Sequence, residues 1–379
     1  PQALQAPPQL FPPPGRLPSQ ARPPRNHHGS MSPVDGSELI KRDIKAEALR
    51  LGFSLCGFTN AEPQADFSRY ETWLKNGFHA GMNYLNSERH REQRHDPTRL
   101  MPGVKTIVSL GWRYPLRKPD QLNQADRFLI AGYTSDTDYH FFLPQRMQLL
   151  SQFIHNELGN EVEINAYTDS APILERELAV RAGLGWIGKN SCLISPEFGS
   201  AFLLAELFLD IEIVPDPPFA GEHCGNCRRC MEACPTHCIQ NDRTIDARKC
   251  ISYLTIEHKG EIPASLHSSI GNWLFGCDVC QMVCPWNQKA SIYDPDSSLR
   301  DLSVEETIEL LHLDKDQFAG RFRESAIFRT KWKGLLRNAL IVLGNSRDLL
   351  ARGSIEDFAD HVSDPDLGIM ARTILNNLT

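Results

Sequence analysis

The sequence predicts three successive folded units: an α/β domain over residues 31–215, a two-cluster unit over 216–292, and an α-helical domain over 293–379. Three observations carry this division. Strand-like and helix-like hydrophobic patterns alternate through the first unit. Nine of the eleven cysteines then crowd into residues 224–284, eight once Cys238 is set aside, opening with "CGNCRRCMEACP" (224–235). Beyond them, apolar residues recur at helical spacing.

Residues 1–30 are Pro-rich, without the apolar core of a signal peptide, and read as disordered, with Met31 as the expected start of the folded protein. "ELIKRDIKAEALRLGF" (38–53) reads as an amphipathic helix ending at Gly52. "VKTIVSL" (104–110) reads as a buried strand, "RMQLLSQFIHNEL" (146–158) as a helix, and "EVEINAY" (161–167) as a strand. "PILERELAVRAGLG" (172–185) reads as a helix with Pro172 in its first turn and Gly183 at its end. "SAFLLAELFLDIEI" (200–213) is a further buried element, and "VPDPPFAGEH" (214–223) a Pro-rich boundary. In the tail, Ser303 and Glu306 have capping-box spacing, and the helical units there are HEAT-like.

Composition narrows the function classes. A hydrophobic content of 41% supports a sizeable core, and a net charge of −7 excludes a broadly basic surface, though not a local basic patch. No run is long and apolar enough to cross a bilayer, so no membrane partner is expected. Clustered cysteines without a secretion signal fit metal binding in a reducing cytoplasm better than disulfides.

The first run is C-x2-C-x2-C-x3-C-P, and the second, "CDVCQMVCP", lacks a leading cysteine that Cys250 can supply. In two-cluster ferredoxins the last cysteine of each run crosses to the other cluster. One [4Fe–4S] cluster is therefore assigned to Cys224, Cys227, Cys230 and Cys284, and the other to Cys234, Cys250, Cys277 and Cys280. A four-cysteine zinc site would leave Cys230, Cys234 and Cys284 at ferredoxin spacings by accident. Cys238, Cys192 and Cys56 read as small buried residues.

A ferredoxin alone needs only about 60 residues, so the α/β domain is expected to hold the reaction. In "YTDSAPILERELAVRAGLGWIGKNSCLI" (167–194), Asp169 sits between a predicted strand and a predicted helix. Apolar neighbours would raise its pKa and keep it protonated as a general acid; alternatively it caps the helix. "GLGWIGKNS" (183–191) reads as a backbone cradle for a large cofactor or as a tight turn.

These stretches, with "RHDPTRLMPGVKTIVSLGWRYP", "DYH" (138–140), "CISYLTIEHKG" (250–260) and "GLLRNALIVLGN" (334–345), resemble the epoxyqueuosine reductases of tRNA modification. The resemblance spans most of residues 38–345. It implies a cytoplasmic, cobalamin-dependent reductase with two [4Fe–4S] clusters, converting epoxyqueuosine at the tRNA wobble position to queuosine with loss of water. The α/β unit becomes the cobalamin-binding domain, and Asp169 the catalytic acid. The cobalamin site would use Arg94 of the R-x-D-P motif, a position near Tyr133, Asp169, and backbone around Lys189, Asn190 and Ile194. Ser252, Cys277 and Asp278 would lie where the second cluster abuts the corrin. Thr137 stands where the family usually has glycine before "DYH". "DYHFFL" ends in Leu143, not the glycine of a D-x-H-x-x-G motif, so no protein histidine ligand to cobalt is expected.

The stretch "RFRESAIFRTKWKGLLR" (321–337) carries six basic residues, one acid and three aromatics. It reads as a nucleic-acid surface with Arg329, Lys331, Lys333 and Arg337 as contacts, joined by Lys259, or as a solvated amphipathic helix. A monomer served by an external electron donor is expected. The competing functions are a corrinoid-dependent reductase of a small molecule such as an organohalide, and a non-catalytic electron carrier.

Overall fold

The computed structural model describes residues 33–64, 67–119, 127–134, 137–290, 301–346 and 348–377. The expectations for residues 1–30 and Met31 fall outside the described residues.

The first region runs α1 (Pro33–Arg50), β1 (Leu55–Asn60), α2 (Phe67–Lys75), α3 (Glu88–His95), β2 (Thr106–Arg113), β3 (Arg127–Ile130), α4 (Tyr139–Leu158), β4 (Ile164–Tyr167), α5 (Glu175–Arg181), β5 (Trp186–Ile187), β6 (Leu193–Ile194) and β7 (Phe202–Leu209). Strands β1, β2, β7 and β4 form one sheet in that order, antiparallel at every step. The strands are apolar on both faces because both are covered. Val108, Leu110 and Leu207 pack with Ile44, Leu143 and Met147 of α1 and α4, while Ile107 and Phe208 pack with Leu178 of α5. Alternation of side chains along each strand divides them this way.

Two helix starts differ from the sequence reading. Helix α4 begins at Tyr139, upstream of 146, because the Asp138 carboxylate accepts the His140 N–H as an N-cap and Pro144 is tolerated inside the helix. Helix α5 begins at Glu175, not at Pro172, and its N-cap Leu174 has no side-chain cap bond. Asp169 therefore does not cap it. Gly183 does follow the helix end, with φ at +78°.

The second region carries α6 (Arg229–Ala233), α7 (Ile251–Ile256), α8 (His267–Ile270), β8 (Trp273–Phe275), α9 (Val279–Met282) and α10 (Pro285–Lys289). The third has β9 (Leu302–Ser303), α11 (Val304–Leu311), α12 (Lys315–Phe322), α13 (Lys331–Ser346), α14 (Leu349–His361) and α15 (Pro365–Asn377). The Ser303/Glu306 capping box is present, and Asp314 with Gln317 forms a second one.

Strand β3 ties the regions together, pairing in parallel with β8 and antiparallel with β9. One hydrophobic core runs from Phe128 and Leu129 through Leu254, Ile270 and Phe275 to Leu335, Leu340 and Leu367. Its centre is α13, buried on every side from Leu335 to Gly344 and apolar there except at Arg337 and Asn338. Each fully buried leucine or isoleucine there contributes about 1.5–3 kcal/mol.

Arg337 lies inside this core at 4% exposure, which overturns its assignment to a nucleic-acid surface. Its guanidinium donates to the carbonyls of Leu254 (2.7 Å), His258 (2.7 Å) and Gly260 (2.9 Å). Burial lowers its pKa to about 10, so it stays charged at neutral pH. Asn338 continues the clamp onto the carbonyls of Thr255 and Leu274. Arg337→Met is expected to strand three buried carbonyls and destabilise the fold by about 3–5 kcal/mol. A urea titration followed by far-ultraviolet circular dichroism checks this; an unchanged midpoint would contradict the clamp.

Candidate active site and cluster sites

Asp169 follows β4 and holds a left-handed backbone at φ +52°, an uncommon conformation that aspartate tolerates better than most residues. Its N–H donates to the Glu175 carboxylate at 2.7 Å, which fixes that geometry from the start of α5. Its Oδ2 atom accepts from the Tyr139 hydroxyl (2.9 Å) and from Arg329 Nη2 (2.8 Å), and His140 Nε2 stands 3.4 Å away. Arg329 also donates to the Tyr139 hydroxyl at 3.0 Å.

These partners reverse the expectation of an apolar setting. Burial pushes the Asp169 pKa up, but the His140 hydrogen bond, the Arg329 charge and the Tyr139 hydroxyl together pull it well below the usual carboxylate range. Asp169 is ionised in this arrangement. Arg329, expected to face nucleic acid, is spent on the carboxylate from 160 residues further along the chain. Glu175 behaves oppositely: burial and the Asp169 charge raise it to about 7. Glu206 of β7 is fully buried, and burial, with the Glu175 charge nearby, raises its pKa strongly.

Tyr133 lies between Asp169 and the cysteine region, in the electrostatic field of Arg329, Asp169 and Asp278. Asp278 is buried and accepts the Gly132 N–H at 2.7 Å, which places Tyr133. A Cβ on residue 132 would strike the Pro115 carbonyl, so the approach needs glycine. Burial raises Asp278 to about 6. Arg94 is buried at the end of α3, and its charge reaches Glu175.

The thiols stand in two groups. Cys230 is raised to about 11 by burial and by the proximity of Cys284, Cys224 and Cys227. Cys277 is raised by burial, with Cys250 and Cys234 beside it, and Cys280 adjoins Cys277 and Cys250. The two expected quartets are thus brought together, each offering four soft donors suited to a [4Fe–4S] cubane. Among the described residues no three His, Cys, Asp or Glu side chains close on a single-ion position. Two of the cysteines read as plain packing residues border the second quartet: the Cys238 thiol lies 3.5 Å from that of Cys234, and Cys192 stands close to Cys280. Cys56 lies apart, raised to about 12 by burial.

The other expected cofactor residues divide. Asn190 is buried and reaches the Cys280 carbonyl at 3.5 Å, while the Ser252 backbone N–H, beside the Cys250 thiol, helps lower that thiol's pKa. The Lys189 ammonium instead donates to the carbonyls of Gly225 (2.6 Å) and Cys227 (2.9 Å), strapping the first cysteine loop. The Ile194 side chain packs with Trp186 and Cys284. Neither side chain joins Asp169, which leaves their backbone for the expected contact.

Residues 94–170 match a family model described as epoxyqueuosine reductase QueG, DUF1730, and residues 223–287 match one described as a 4Fe-4S double cluster binding domain. The chain is 40% identical to an epoxyqueuosine reductase of Cyclobacterium marinum over 297 residues, covering 78% of this chain and 94% of that relative. The chain belongs to the epoxyqueuosine reductase family. An epoxyqueuosine reductase structure from Streptococcus thermophilus superposes with a TM-score of 0.78 at 32% identity, covering 89% of this chain and 90% of that one. Another, with an epoxyqueuosine-modified tRNA-Tyr stem loop, gives 0.77 at 26% identity, covering 90% and 99%. Within this epoxyqueuosine reductase fold, the partners of Asp169 that the sequence reading missed are Tyr139, His140 and Glu175, with Asp138 behind His140. "DYH" was legible as a motif; its convergence on a residue 30 positions away was not.

Proposed function

We propose that this chain reduces epoxyqueuosine to queuosine at the wobble position of tRNA, using two [4Fe–4S] clusters and cobalamin. The observation that carries the reading is identity of 40% across 94% of a curated epoxyqueuosine reductase. Cys224, Cys227, Cys230 and Cys284 hold the outer cluster, and Cys234, Cys250, Cys277 and Cys280 the inner one.

Both ring nitrogens of His140 are engaged, by Asp138 and by Asp169, so this side chain would not serve as a ligand to a corrinoid's cobalt. Arg94, Tyr133, Asn190, Ser252, Cys277 and Asp278 would hold the group between the inner cluster and Asp169, with backbone from Lys189 to Ile194. When bound, it supplies the nucleophilic two-electron chemistry. The chain's residues orient the base and deliver protons. Asp169 is the group that protonates the departing oxygen. Exposed Lys259 and Lys331 are the remaining cations for the RNA backbone. Lys333 is paired with Asp364 and Asp366, and Arg329 with Asp169.

The test is direct. Protein purified without oxygen, loaded with cobalamin and given a one-electron reductant, is incubated with an epoxyqueuosine stem-loop. Nucleoside analysis by mass spectrometry should show queuosine accumulating. No queuosine from a preparation containing both clusters would refute the reading.

A further inference from the structure

Turning an epoxide into an alkene takes two electrons and two protons. Both C–O bonds break, a C=C bond forms, and the oxygen leaves as water. On the function proposed above, on which this inference rests, the electrons come from an external one-electron donor through the clusters. The protons are a separate problem. Asp169 is one carboxylate with room for one proton, and in this structure it holds none, because His140, Arg329 and Tyr139 keep it ionised. Another group must load it twice in each turnover.

We propose that His140, held charged by Asp138, supplies Asp169 with the protons that leave as water. The three side chains form a line. Asp138 Oδ1 lies 2.7 Å from His140 Nδ1, and His140 Nε2 lies 3.4 Å from Asp169 Oδ2. Asp138 is fixed at both ends: its carboxylate caps α4 through the His140 N–H (3.0 Å), and its own N–H donates to the Glu324 carbonyl (2.8 Å). The imidazole leans on the Tyr139 ring at 4.1 Å, which sets its plane. At 26% side-chain exposure it also reaches water, and so can recharge between transfers.

The charged groups facing His140 are Asp138 and Asp169, which favour its proton, and Arg329, which opposes it. The Asp138 and Asp169 hydrogen bonds outweigh burial and Arg329 and raise it to about 9. At neutral pH the stored proton is therefore on the imidazole. The neighbouring groups do not substitute for it. Burial and the Asp169 charge push the Tyr139 hydroxyl up, so it stays a neutral donor. Glu175 contacts the Asp169 backbone N–H, not its carboxylate, and lies off the line. Because His140 holds a proton more tightly than Asp169, each transfer is coupled to C–O cleavage: the N–H bond at Nε2 breaks and an O–H bond forms on Asp169 as the increasingly basic oxygen departs. The carboxyl then hands that proton to the epoxide oxygen, and His140 takes the next from solvent.

The sign of the pH dependence follows. A group that must be protonated gives a rate that is level below its pKa and falls above it. Single-turnover rates of the cobalamin-loaded enzyme on the epoxyqueuosine stem-loop should fall above about pH 9 in the wild type. Asp138→Asn keeps a capping side chain but removes the anion, so the fall should move at least about one pH unit lower. His140→Gln should slow the reaction at pH 7.5 by about tenfold or more. Iron–sulfur absorbance and stem-loop affinity, measured alongside, should be unchanged in both variants. An Asp138→Asn profile superimposable on the wild type overturns the proposal, whatever His140→Gln does. So does a His140→Gln rate within about twofold of wild type. Absence of turnover in the wild type would instead count against the proposed function.

Discussion

Asp169→Asn is expected to lower the single-turnover rate on epoxyqueuosine tRNA by about 10²–10⁴-fold, the range that a positioned acid contributes. The substitution is nearly isosteric, and asparagine tolerates the left-handed backbone that residue 169 adopts. The amide oxygen can still accept from Arg329 and Tyr139, so the loop should keep its place. What is lost is the ability to carry a proton to the departing oxygen. Substrate affinity should not fall, since Arg329 no longer faces a full negative charge. Rapid-quench nucleoside analysis gives the rate and filter binding the affinity. A variant with wild-type turnover would remove Asp169 from the chemistry.

The second large effect concerns Cys284, which sits in the second cysteine run but lies with Cys230 and Cys224. Cys284→Ala should cost one whole cluster, from about eight irons per chain to about four. Electron entry would be broken, and steady-state turnover should fall to background. Double variants reveal which cluster is gone. Adding Cys227→Ala should change the iron content no further, because both residues are assigned to the same cluster. Adding Cys280→Ala should remove the remaining irons. The reverse pattern would mean that the runs do not cross. Such non-additivity is the signature of a shared site.

What the sequence disclosed depended on how local each signal was. The double-cluster domain was legible because a cubane needs converging thiolates and short loops supply most of them at fixed spacings. Strands β2 and β7 and the Ser303 capping box were legible for the same reason. The setting of Asp169 was not. Its carboxylate is governed by Tyr139 and His140, about 30 residues upstream, and by Arg329, 160 residues downstream. No pattern within a window reports such a meeting, so an apolar environment was the natural and mistaken expectation. Arg337 misled for a related reason. In a basic stretch it looks like its neighbours, and only the carbonyls of a distant loop show it to be internal. Helix α5 was placed too early because Pro172 resembles a first-turn proline, whereas residues 170–174 form turns that delay the helix.

The clamp made by α13 joins two capacities of the protein that a modular reading keeps apart. Arg337 and Asn338 hold the carbonyls of α7, which starts immediately after Cys250, and the Leu274 carbonyl, three residues before Cys277. Asn345 holds the turn around Gly271 in the same way. Binding free energy gained if iron and sulfide occupy the proposed inner quartet would therefore also stabilise the helical tail packed against it. The coupling runs in both directions. Loss of iron there would loosen the tail, and loosening of the tail would free the backbone that presents Cys250 and Cys277.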